Sequence, residues 1–151
     1  MLEQFRKLVF GSKEESNSSP KNRIELATCV VLVEAARADD DFTDVERRYI
    51  VDVLVSRFDL TQSEAQELIK EAVAVREASP DLWHFTHQLN EEFSREDKML
   101  VMEEAWRLFY SDGILEGHED HLAHKLRDLL NLSQRELIGA KMKVLKEVRG
   151  E

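Results

Sequence analysis

One seven-residue string occurs twice in this chain, and that repetition limits what the chain can fold into. Phe58-Asp59-Leu60-Thr61-Gln62-Ser63-Glu64 returns as Leu130-Asn131-Leu132-Ser133-Gln134-Arg135-Glu136, shifted by 72 positions (130 − 58). Upstream of each copy lies an acidic turn of the form Asp-x-x-apolar-x-x-x-Glu. The first is Asp39…Phe42…Glu46 and the second Asp112…Leu115…Glu119, shifted by 73 (112 − 39). The helix between turn and tail absorbs the one-residue difference. A duplicated helix, acidic turn and helix implies an all-α fold: a compact bundle of seven to eight helices built from two pseudo-symmetric helical repeats.

The punctuation along the chain agrees. Only 2 prolines and 5 glycines interrupt 151 residues, which favours long helices over a many-turned β protein. Residues 21–38 predict a first core helix that is apolar nearly all round, the mark of a buried helix. On it, Glu34 and Arg37 are spaced to pair. Thr43-Asp44-Val45-Glu46, Thr61-Gln62-Ser63-Glu64 and Ser133-x-x-Glu136 each predict a helix start through a capping box. Ser79-Pro80 reads as an N-cap followed by proline at the first helical position, and Ser94-x-x-Asp97 as a further start. Trp83, Trp106 and Phe109 are expected as core anchors. The last helix is expected to turn Leu137, Ala140, Met142 and Leu145 inward. No segment alternates as a strand does.

The expected organisation is an N-terminal helix and flexible linker over 1–20, followed by one helical domain over 21–151. Leu2, Phe5, Leu8 and Val9 share one side of the first segment, so it is expected to dock back on the domain or to act as a weak anchor for a membrane or partner.

Net charge is −10 and the pI near 5.0. A nucleic-acid binder normally carries a basic face, and no Lys/Arg run here exceeds two. Cations and basic protein partners suit the charge better. The single cysteine, Cys29, forms no intrachain disulfide and reads as a small core residue. No signal peptide and no membrane-spanning run is apparent, since Thr28 to Val33 is broken by Glu34. The expectation is a cytoplasmic protein, with peripheral membrane association as its only membrane role. The oligomeric state is not legible.

The acidic turns carry the chemistry, if the chain has any. Each joins the end of an apolar helix to the start of the next, so carboxylates seven residues apart converge from both sides of the junction. Asp39, Asp40, Glu46, Asp112 and Glu119 form the candidate set for a hard cation, which takes several oxygen ligands; all-oxygen donors favour Ca²⁺. The spacing is not that of an EF-hand. Against this stands an ordinary reading: acids at a helix start stabilise its macrodipole, and Glu46 is accounted for as a capping-box residue. His118, His121 and His124 are spaced i, i+3, i+6, but a solvated face explains them, as it does His84 and His87. No nucleophile arrangement or phosphate loop is present, and no enzyme is expected.

Ala38-Asp39-Asp40-Asp41-Phe42-Thr43-Asp44-Val45-Glu46 and Ser111-Asp112-Gly113-Ile114-Leu115-Glu116-Gly117-His118-Glu119 resemble the "Ala-Asp-Gly…Glu" turns of the TerB-like domain. Leu130-Asn131-Leu132-Ser133 is similar to the tail that follows such a turn. That domain occurs in bacterial tellurite-resistance proteins and at the start of some membrane-anchored DnaJ-like co-chaperones. The resemblance covers roughly residues 22–148 and implies an all-helical fold with two repeats. It also implies a non-enzymatic stress-resistance module that binds metal through Asp39, Glu46, Asp112 and Glu119. The alternative it implies is a metal-free scaffold that docks a basic or membrane-associated partner by its acidic face.

Overall fold

A computed structural model describes residues 20–37, 42–111 and 117–150, with side chains over 23–37, 42–111 and 121–150. Seven α-helices occupy these residues and no strand does. They are α1 (Pro20–Ala36), α2 (Asp44–Phe58), α3 (Gln62–Glu77), α4 (Trp83–Glu92), α5 (Arg95–Phe109), α6 (Gly117–Leu129) and α7 (Gln134–Arg149). The expected N-terminal helix over 2–10, and all but the last residue of the expected 1–20 segment, lie outside the described residues.

α1 is the axis of the molecule. Ala27, Cys29, Val30, Val31, Leu32, Val33, Ala35 and Ala36 are all buried. Residues spread around the whole circumference can be covered only from several sides, and α2, α3, α4 and α5 all pack on α1. α5 is the second hub. It carries Trp106 and Phe109 into the core, edge to face at 5.4 Å, and packs against α1, α6 and α7. Burial pushes the Cys29 thiol far above its usual range, and Glu71 adds to this. Thiolate chemistry is therefore suppressed there.

The predicted starts are present. Thr43, Thr61 and Ser133 each accept from the backbone amide three residues on and receive the Glu side chain in return. Ser94 caps α5 through the Asp97 amide at 3.1 Å. The duplicated string folds into the same corner both times. Asp59 and Asn131 take left-handed backbone at φ 56° and 57°. The apolar residue that follows, Leu60 or Leu132, is buried, and the cap then opens the next helix. In the second copy Asn131 N bonds Asp128 O at 3.2 Å and Leu132 N bonds Arg127 O at 2.9 Å, the Schellman pattern for closing a helix. Packing repeats as well: α1 lies on α3, and α5 lies on α7.

Four local expectations are corrected. Ser79-Pro80 does not start a helix. Ser79 Oγ donates back to Val75 O at 2.8 Å, and α4 begins only at Trp83 with no side-chain cap. Trp83 is 56% exposed and not a core anchor. The inward stripe of α4 is Leu82, Phe85, Thr86 and Leu89, which leaves Trp83 outside, stacked on His87 at 4.4 Å. Glu34 does not pair with Arg37. It receives two bonds from Arg76 of α3, at 2.9 and 3.3 Å, while Arg37 lies 3.6 Å from Glu77. Tertiary partners displace the local one. On α7, Val144 is buried in the place expected for Met142, which is exposed.

The corners give a direct test. Asn131→Gly keeps or raises stability, because glycine enters left-handed backbone without a Cβ penalty. Asn131→Val is expected to cost about 1–2 kcal/mol, the penalty of that conformation for a residue with a Cβ. Thr61→Ala and Ser133→Ala are each expected to cost about 1 kcal/mol through the lost cap. Urea unfolding of the four variants checks both points.

Candidate functional site

The residues that flank the two acidic turns, Glu46 and Ser111, meet at one pole of the bundle. The observation that places them there is a contact between residues 65 apart in sequence: Ser111 Oγ lies 3.5 Å from Glu46 Oε2. Glu46 opens α2 just after the first turn, and Ser111 follows α5 just before the second. Ser111 also bonds Leu108 O at 2.8 Å. That shorter bond has the stronger claim on the single hydroxyl proton, so donation from Ser111 to Glu46 Oε2 is the weaker of the two.

Glu46 is largely buried, and its two oxygens have different tasks. Oε1 accepts from Thr43 N at 2.9 Å and from Thr43 Oγ1 at 3.1 Å, which is the capping box. Oε2 faces the pole and Ser111. The structural role expected of Glu46 is therefore real, and its second oxygen meets Ser111 at the end of α5. Phe42 closes the first turn's exit, with the Arg47 guanidinium over its ring at 4.6 Å.

Of the other candidate ligands, Asp39, Asp40 and Asp112 lie outside the described residues, as do Asp41, Gly113 and Glu116. Glu119 belongs to the first turn of α6 by its backbone, and its side chain lies outside them. Among the described residues no three His, Cys, Asp or Glu side chains gather as a metal group. His84 and His87 are on a solvated face as expected: His84 lies near Gln88, and His87 is 3.7 Å from Glu91 and stacked on Trp83.

A second cluster was not anticipated. Glu104 of α5 is buried, and it is the acceptor at which α2 and α5 meet. It accepts from the Tyr49 hydroxyl, from Arg57 Nη2 at 2.8 Å and Nε at 3.2 Å, and pairs with Arg107 Nη1 at 3.2 Å. Arg107 continues to Glu147 of α7 through two bonds at 2.8 and 2.7 Å. Glu103 lies 3.2 Å from Lys143 and 3.6 Å from Arg107. Three acids and three bases thus tie α2, α5 and α7 together with no net charge. One sequence signal for this existed. Glu104 falls on the face of α5 shared by Val101 and Leu108, and a carboxylate on an apolar stripe needs a buried partner.

Burial alone would raise the Glu104 pKa. The bonds from Tyr49, Arg57 and Arg107 outweigh it and hold the carboxyl below its ordinary 4.5. For Tyr49, burial and the bond to Glu104 push the phenol well above its usual 10.0. The bidentate bond to Glu147 leads the contributions that keep Arg107 charged against its burial. This cluster is a clamp: Glu104 is met by Tyr49, Arg57 and Arg107, and Glu103 and Glu147 each lie against a base.

The signs of these shifts fix its pH response. A depressed carboxyl contributes stability that is complete above 4.5 and is lost as pH falls through its lower folded value. A raised phenol contributes stability that is complete below 10.0 and is lost as pH rises. Glu104→Gln should therefore unfold at lower denaturant at pH 7, by about 3–5 kcal/mol for a broken buried pair. It should also show a flatter stability profile below pH 4.5 than the parent. Tyr49→Phe should cost about 1.5–3 kcal/mol, a bond to a charged group. Denaturant unfolding from pH 3 to 7 measures both.

The family model for tellurite resistance protein TerB matches residues 25–142. No curated protein and no solved structure matches the chain. The matched span contains both acidic turns, both corners and the pole where Glu46 meets Ser111.

Proposed function

The chain belongs to the TerB family, and from that premise we propose that it is a non-enzymatic helical module that binds a divalent cation where its two acidic turns converge. The observation that carries the reading is the 3.5 Å approach of Ser111 to Glu46. It draws the flanks of both turns to one place, so that carboxylates from two segments can share one ion. The donors fit a hard cation. Glu46 Oε2 and the Ser111 hydroxyl are oxygens, and Asp112 follows Ser111 directly in sequence. Ca²⁺ accepts six to eight such oxygens in flexible geometry. Asp39, Asp40, Asp112 and Glu119 would complete the shell. When bound, the ion would neutralise carboxylates that otherwise repel one another in a chain of net charge −10.

The second reading is metal-free docking of a basic or membrane-associated partner by the same acidic pole. The charge balance favours it, and no helix among the described residues is long and apolar enough to cross a membrane, so any membrane role of those residues would be peripheral. Chelator separates the two readings. A cation site fails with chelator, whereas charge-driven docking survives it and weakens with salt.

Calorimetric titration of chelator-stripped protein with Ca²⁺ is expected to show binding and a matching rise in melting temperature. Asp39→Asn with Asp112→Asn should abolish the binding. Glu46→Gln keeps the cap, because Gln serves in a capping box, yet should weaken the ion through the lost charge. Heat signals that persist in the double variant would move the site elsewhere.

A further inference from the structure

We propose that a cleft between α1, α2 and α5 is a binding site for a small amphiphile with an ammonium head, a hydrocarbon body and a hydrogen-bonding group at the far end. The cleft has a volume of about 300 Å³, within the range of small-molecule sites. Its apolar lining comes from Leu32 of α1, Val53 and Phe58 of α2, and Val101 of α5. This part takes the body.

The two ends rest on different observations. Thr28 lines the cleft, and its Oγ1 is buried with no hydrogen-bond partner. Buried hydroxyls are nearly always bonded, so Thr28 marks a position where the protein supplies no partner and a ligand group can. At the mouth, Ser56, Arg57 and Asp97 are exposed. The Arg57 charge is taken, since Nε and Nη2 both point at Glu104 Oε2. The Asp97 carboxylate has no hydrogen-bond or ion-pair partner among the described residues. Of the three charged groups lining the cleft, Arg57 and Glu104 cancel and Asp97 remains. An ammonium head at the mouth is therefore selected, and a carboxylate head is repelled both by Asp97 and by the net charge of −10. The cleft lies apart from the pole of the acidic turns, so this site does not depend on the cation reading.

The test uses the full chain with methyl-labelled Leu and Val, titrated with aminohexanol, hexylamine and hexanoate and followed by NMR. Aminohexanol is expected to shift the Leu32, Val53 and Val101 methyls and to bind about tenfold tighter than hexanoate, with hexylamine between them. Asp97→Asn should remove most of the preference for an ammonium head. Thr28→Val should erase the gain of aminohexanol over hexylamine. Ser56→Trp plugs the mouth from an exposed position, leaves the core intact and should abolish the methyl shifts. Equal binding of hexanoate, shifts confined to other methyls, or no shifts up to about 10 mM in the folded parent would overturn the proposal.

Discussion

The described helices are arranged around α1, whose side chains from Ala27 to Val33 are all buried. α1 buries side chains on every side, so a single partner helix cannot satisfy it. Four others surround it, and each must leave its polar face outward. A fully buried Leu or Ile contributes roughly 1.5–3 kcal/mol relative to exposure, so the apolar run from Ala27 to Ala36 is a large share of the driving force. It also costs freedom of design. The two polar side chains that break the run are tied or enclosed: Glu34 is held by Arg76, and Thr28 sits buried beside the cleft.

That enclosure explains where chemistry can sit. Where α2 meets α5, the buried carboxylate of Glu104 is matched by Tyr49, Arg57 and Arg107. The clamp ties α2 to α5 through Tyr49 and Arg57. With those helices fixed, the start of α2 meets the end of α5, and Glu46 comes to Ser111. The described flanks of the acidic turns are thus brought together at one pole. The same clamp occupies Arg57 and leaves Asp97 as the cleft's unmatched charge. The two proposed sites, one for a hard cation and one for an organic cation, both rest on where negative charge is left over.

Much of the fold was legible in the sequence. Periodicity found all seven helices, and the Thr/Ser-x-x-Glu strings found three starts to the residue, because a capping box is local chemistry that needs no tertiary context. The repeated string was visible too, while its left-handed corner at Asp59 and Asn131, two of the few residue types that tolerate that backbone, emerged with the structure. What failed was whatever depended on distant partners. Ser79-Pro80 looked like a cap until Val75 took the hydroxyl. Trp83 looked like a core anchor because size and apolarity say nothing about which side of a ten-residue helix faces in. Glu34 chose Arg76 over its helical neighbour. The Glu104 clamp joins residues 47 and 55 apart, a distance over which spacing carries no signal. For the site, the residue types were visible and Glu46 was named, but its approach to Ser111 is a product of packing.

The convergence of the two turns on one ion is the central claim, and amide NMR during a Ca²⁺ titration addresses it most directly. If the account is right, resonances from residues 39–46 and 111–119 shift together along one binding curve, because one ion engages both segments. If only one turn responds, or the two respond with separate affinities, the turns do not share a site, and the approach of Ser111 to Glu46 is packing alone.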